Sequence, residues 1–161
     1  MQVAEWLEAT PIGVLVRDTQ WGFHIVAGAH ILGLALSVGI VLWFDLRLLG
    51  LAFRSLPVRT LYRRLIPWAG AGFTIMFVTG SMLLVAYATS AYDNPYVRIK
   101  LVALAMAGLN ALLYHWFTEQ RVAQVDQATT LPLPARMAGV LSIAAWMIVI
   151  LAGRLMSYTM F

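Results

Sequence analysis

The chain has no cysteine, which removes disulfides, thiolate-bound metals and iron–sulfur clusters. It is also short of charge: only 11% of its 161 residues are Asp, Glu, Lys or Arg, against about 25% in a soluble domain. With 61% apolar residues, such a chain cannot cover itself with polar surface in water. Lipid is the solvent that fits. No nucleophile triad, general acid–base pair or glycine-rich phosphate loop is visible, so a carrier is expected ahead of a bond-making enzyme. The first 18 residues lack a basic start and carry Glu5 and Glu8, so no cleavable signal peptide is expected. The formal charge of +4 does not imply a nucleic-acid partner, because most basic residues lie beside apolar runs, where topology and anionic lipid account for them.

A spanning helix needs about 20 mostly apolar residues to cross a core of roughly 30 Å. Four stretches qualify: Trp21–Phe44, Leu65–Ala88, Ile99–Phe117 and Met137–Phe161. They predict an all-α, integral membrane four-helix bundle forming a single domain over residues 1–161. Pro67 sits where a first helical turn would tolerate it. Val3–Val16 is too short to span and reads as an interfacial helix broken by Pro11 and Gly13. The first loop carries Arg47, Arg54, Arg59, Arg63 and Arg64 and the third Arg121 and Arg136; the other side has only Arg17, Arg98 and Lys100. This imbalance predicts loops one and three in the cytoplasm and both termini in the periplasm of a bacterial inner membrane. Small residues at four-residue spacing, Ala29–Gly33 and Ala35–Gly39, with Gly72 and Gly80 in helix two, predict close helix packing within or between subunits.

Ionisable groups inside a bilayer are costly and so mark functional positions by default. Those present are His24, His30, His115, Asp45, Lys100 and Arg154. Asp45 and Lys100 lie near helix ends, within snorkelling reach of the interface. Arg154 is expected to snorkel outward, to pair with Asp18 or Asp93, or to hold an anionic cofactor group. His30 lies roughly 13–14 Å into helix one, too deep for an imidazole without a partner. Gly33 and Ser37 share its face, leaving room for a flat macrocycle such as haem, whose iron is commonly held by histidine. His24 lies about 9 Å nearer the outer surface and is turned away by about 240°. His115 lies about 12–14 Å deeper than His30, which strains a shared iron within one subunit unless the helices are offset in depth. A second ligand would come from Met76, Met82 or a symmetry mate, or each histidine would hold its own haem. Copper competes: thioether and imidazole suit Cu(I), and His24, His30, Met156 and Met160 supply both.

The run His30-Ile-Leu-Gly-Leu to Asp45-Leu-Arg-Leu-Leu-Gly50, with Asn94-Pro95-Tyr96 and Lys100, resembles a family of uncharacterised four-helix bacterial membrane proteins. More distantly it is similar to the haem-b-binding membrane protoporphyrinogen oxidase and to the membrane domain of CopD-type copper-resistance proteins. The resemblance covers most of the chain, from Trp6 to about Lys100. It implies a haem ligand at His30 and a role for Lys100. The Leu-Pro-Arg-Leu motif of the oxidase is replaced by Asp45-Leu46-Arg47-Leu48, so the porphyrinogen-oxidising activity does not carry over.

Residues and resemblance together predict a small b-type cytochrome that passes electrons through haem b, with one haem or two per chain. His30, His115 and His24 are the candidate iron ligands. Arg154, Lys100 or the loop-one arginines are the candidate partners of the propionates. Quinol or a periplasmic redox protein would exchange electrons with it, and a homo-oligomer is expected. The rivals are a copper-handling membrane protein and a structural subunit without a cofactor.

Overall fold

Pro11, which has no backbone N–H to donate, starts a helix here instead of interrupting one. The computed structural model describes residues 1–118 and 131–160, the side chains of Thr118 and Met160 apart. In it the N-terminal segment forms two short helices, α1 (Gln2–Glu8) and α2 (Pro11–Asp18). Thr10 caps α2 by accepting from Gly13 N at 3.3 Å, with proline in the first turn where its missing donor costs nothing. Gly13 is buried against the end of α1: a Cβ there would stand 2.6 Å from the Glu8 carbonyl oxygen. The single interfacial helix read from the sequence is thus a capped pair, and α2 packs on α3 and α4.

The long helices are α3 (Gly22–Leu48) and α4 (Val58–Ala86), then α6 (Pro95–Leu113) and α7 (Leu133–Met160), with the short α5 (Ala88–Tyr92) between α4 and α6. A π-helical turn, Tyr114–Thr118, follows α6. Each of the four is long and apolar enough to cross a membrane, and together they pack as an all-α bundle. α3, α4 and α7 outrun their apolar windows because their charged ends continue the helix, and α6 begins four residues before its window. Arg59, Arg63 and Arg64 are exposed residues of the first turns of α4, which places Pro67 inside that helix, not at its start. Asn94 caps α6 by accepting from Tyr96 N at 2.9 Å.

The helices pair as two hairpins. α3 lies along α4, α6 lies along α7, and the α3–α7 contact joins the pairs. Glycine sets the first contact. A Cβ on Gly33 would stand 2.8 Å from Met76 N, and one on Gly72 would stand 2.6 Å from Ser37 N, so the two backbones approach as only small residues permit. Between α3 and α7, Gly139 faces the Asp45 carbonyl. Between α6 and α7, Asn110 Nδ2 donates to the Ala138 carbonyl at 3.0 Å and Asn94 Nδ2 to Thr159 Oγ1 at 2.7 Å. The Asn94–Thr159 bond, and the one from Thr89 N to Glu8 Oε1 at 2.7 Å, gather both chain termini at one end of the bundle. The opposite end holds the five arginines of residues 47–64 and a core of Phe44, Leu48, Val58, Leu61, Tyr114 and Leu131 with two alanines.

Candidate functional site

Thr79 decides which way the His30 proton points. Its hydroxyl donates to the Ile75 carbonyl at 2.6 Å, one turn back on α4. With that proton committed, Oγ1 faces His30 Nδ1 at 3.1 Å as an acceptor. With Nδ1 as the donor, Nε2 is the ring's acceptor nitrogen. The ring also bonds the Met76 backbone, and Nε2 is not among the atoms sealed inside the fold without a partner. A metal-bound histidine has this arrangement, with one nitrogen oriented by an acceptor and the other offered to the metal.

Gly80 makes room for the ring. A Cβ at Gly80 would lie 2.9 Å from His30 Cε1 and 4.0 Å from Nε2. Thr79 and Gly80 are site residues that apolar patterning alone did not single out. The signal was a hydroxyl and a missing side chain side by side within a run otherwise suited to lipid.

Lys100 belongs to the same neighbourhood. Instead of reaching the interface, it is half-buried, with Nζ 3.5 Å from where a Cβ of Gly153 would sit, and its charge is felt at His30. No described residue forms a hydrogen bond or ion pair with it. Met76 and Lys100 are thus the sequence candidates that the fold brings towards His30, Met76 through a bond between its backbone and the ring.

The others are dispersed. His115, on the π turn, is exposed and faces Tyr62 OH at 3.2 Å, the two rings stacked at 6.4 Å. Tyr62 and Thr79 lie on one helix about 25 Å apart by rise, so His115 is far more distant from His30 than the sequence estimate. His24 is exposed and meets the edges of Trp21 and Phe23. Arg154 is exposed too, lying over the Tyr158 ring at 4.7 Å and donating to its hydroxyl at 2.9 Å. Its expected partner Asp18 is held by Arg17 at 2.9 Å. Met76 is buried, and Met82 and Met156 are half-buried. The side chain of Met160, like Arg121, lies outside the described residues. Among those residues no three of His, Asp or Glu gather as a metal-binding group.

Two expectations need correction. The face of Gly33 and Ser37 gives no room for a macrocycle, because α4 fills it at backbone contact. Asp45 does not snorkel: it is 4% exposed and turned onto α7, where Ser142 bonds its carboxyl group.

Four apolar helices, a polar pair inside them and charge confined to the ends define a multi-pass membrane helical bundle. The chain belongs to a family of unknown function, DUF6644, whose model matches residues 3–159. No curated protein and no solved structure matches it.

Proposed function

We propose that this protein is a membrane-embedded b-type cytochrome in which His30 Nε2 ligates haem iron. The observation that carries the reading is the His30 Nδ1···Thr79 Oγ1 contact at 3.1 Å, together with the hydroxyl's own bond to Ile75. Gly80 seats the ring, and Lys100 is the nearby cation for a propionate. Haem would supply one-electron carriage; the chain's residues hold the ring, fix its proton and neutralise acid groups. His115, His24 and Arg154 would serve only a second haem or a partner subunit in a homo-oligomer, since none of them lies beside His30. Quinol or a periplasmic redox protein would be the electron partner in a bacterial inner membrane. The distant likeness to the haem-binding oxidase supports the same ligand.

A second reading rests on the same bond: a cofactor-free subunit in which His30 and Thr79 only tie α3 to α4. The copper alternative would need His24, His30, Met156 and Met160 to converge, and it draws support only from their residue types. The absorption spectrum of purified protein tests all three. A Soret band that shifts on dithionite reduction supports haem. A colourless preparation with copper by elemental analysis supports the copper reading, and absence of both leaves the structural one.

A further inference from the structure

We propose that Arg47 anchors a phosphate-binding site at the arginine-rich end of the bundle, independent of the haem reading. The residue is 1% exposed, and its Nε donates to the Leu56 carbonyl at 2.9 Å. Both terminal guanidinium nitrogens are sealed in the fold and have no partner. A guanidinium cannot shed its proton, and buried donors left unpaired are costly. An anion is the missing component.

Local chain geometry aims this charge. α3 ends in a Schellman turn: Leu51 N donates to the Leu46 carbonyl at 2.9 Å and Gly50 N to the Arg47 carbonyl at 3.0 Å, with Gly50 at φ 73°. The turn reverses the chain so that Leu56, two residues before α4, comes back to Arg47. The guanidinium therefore sits at the start of a 29-residue helix that no side chain caps, where free amide N–H groups and the helix dipole also favour an anion.

No carboxylate of the described residues pairs with this charge. Residues 46–92 hold five arginines and no Asp or Glu. Asp45, two residues earlier and so about 200° round the helix, bonds Ser142 while its Oδ2 is itself buried without a partner. Neither ion pair of Arg17 involves Arg47. A propionate of haem at His30 is out of reach, since residues 30 and 47 of α3 lie about 25 Å apart by rise. Arginine's planar fork matches two oxygens of a phosphate. Such a group at a membrane surface comes from an anionic lipid headgroup or from soluble phosphate. It would enter from the side of the 49–57 loop, where Leu51 and residues 53–56 are exposed.

The test uses the full chain, delipidated in neutral detergent. Its thermal unfolding is followed with inorganic phosphate against chloride of equal ionic strength, and in phosphatidylcholine nanodiscs with and without phosphatidylglycerol. One of the two phosphate sources should stabilise the wild type. Arg47→Lys should weaken that effect about tenfold, whereas exposed Arg63→Gln should leave it within about twofold. Stabilisation by inorganic phosphate identifies a soluble ligand; stabilisation by phosphatidylglycerol alone identifies a headgroup. Native mass spectrometry of the wild type reads the same site without a variant, as one retained phosphate or phospholipid adduct. Absence of both stabilisation and adduct, or an equal effect in Arg47→Lys, overturns the proposal.

Discussion

The two ends of the bundle treat buried polarity in opposite ways. At the end that holds the termini, His30, Thr79 and Lys100 lie beside glycines, and the imidazole bonds Thr79 and the Met76 backbone. At the other, Phe44 packs against Tyr62 and Tyr114 with ring centroids 5.5 Å from each, and Arg47 and Asp45 are enclosed beside that cluster. Depth alone does not make a site. One end holds a neutral ring oriented by a hydroxyl; the other holds guanidinium N–H donors without partners, which suit an anion.

Substitutions can break this contrast, and the largest effect is expected at its centre. His30→Ala should abolish the Soret band of the purified protein while far-UV circular dichroism stays helical; full haem content in that variant would remove His30 as ligand. Thr79→Val keeps the shape but removes the acceptor that orients the ring. It should lower haem affinity about 10–100-fold, the usual cost of losing a partner behind a metal ligand, and a titration of apoprotein with haemin reads it. Gly72→Ala places a methyl 2.6 Å from Ser37 N, so it should destabilise the α3–α4 pair by about 1–3 kcal/mol, measured by unfolding in mixed micelles. His115→Ala should change haem content by less than about twofold, in line with its depth. A loss comparable to that of His30→Ala would mean that the two ends share one cofactor.

Much of this was legible in the sequence. The four spans follow from apolar run length, and His30 and Lys100 stand out because ionisable groups are rare in such runs. The helix ends were not, because Arg59, Arg63 and Arg64 interrupt the apolar window without interrupting the helix. The pairing of α1 and α2 depended on Thr10 and Pro11, which read as a break when proline is weighed without the cap before it. Asp45 and Arg47 looked like interfacial charges from their place near a helix end. Their burial comes from the turn at Gly50, which folds the loop back over them, and from Gly139 and Ser142 on α7. Such contacts join residues far apart in the chain, beyond what periodicity records. The same holds for Thr79 and Gly80, whose roles appear only once α3 lies against α4.

The glycine contact between α3 and α4 has a mechanical consequence. Gly33 and Gly72 meet between the His30–Thr79 layer and the Arg47–Leu56 layer, each against backbone atoms of the other helix. Two stiff rods in backbone contact at such a point rock about it more readily than they slide past it. A small tilt that spreads the helices on the histidine side would press them together on the arginine side, as a see-saw moves about its pivot.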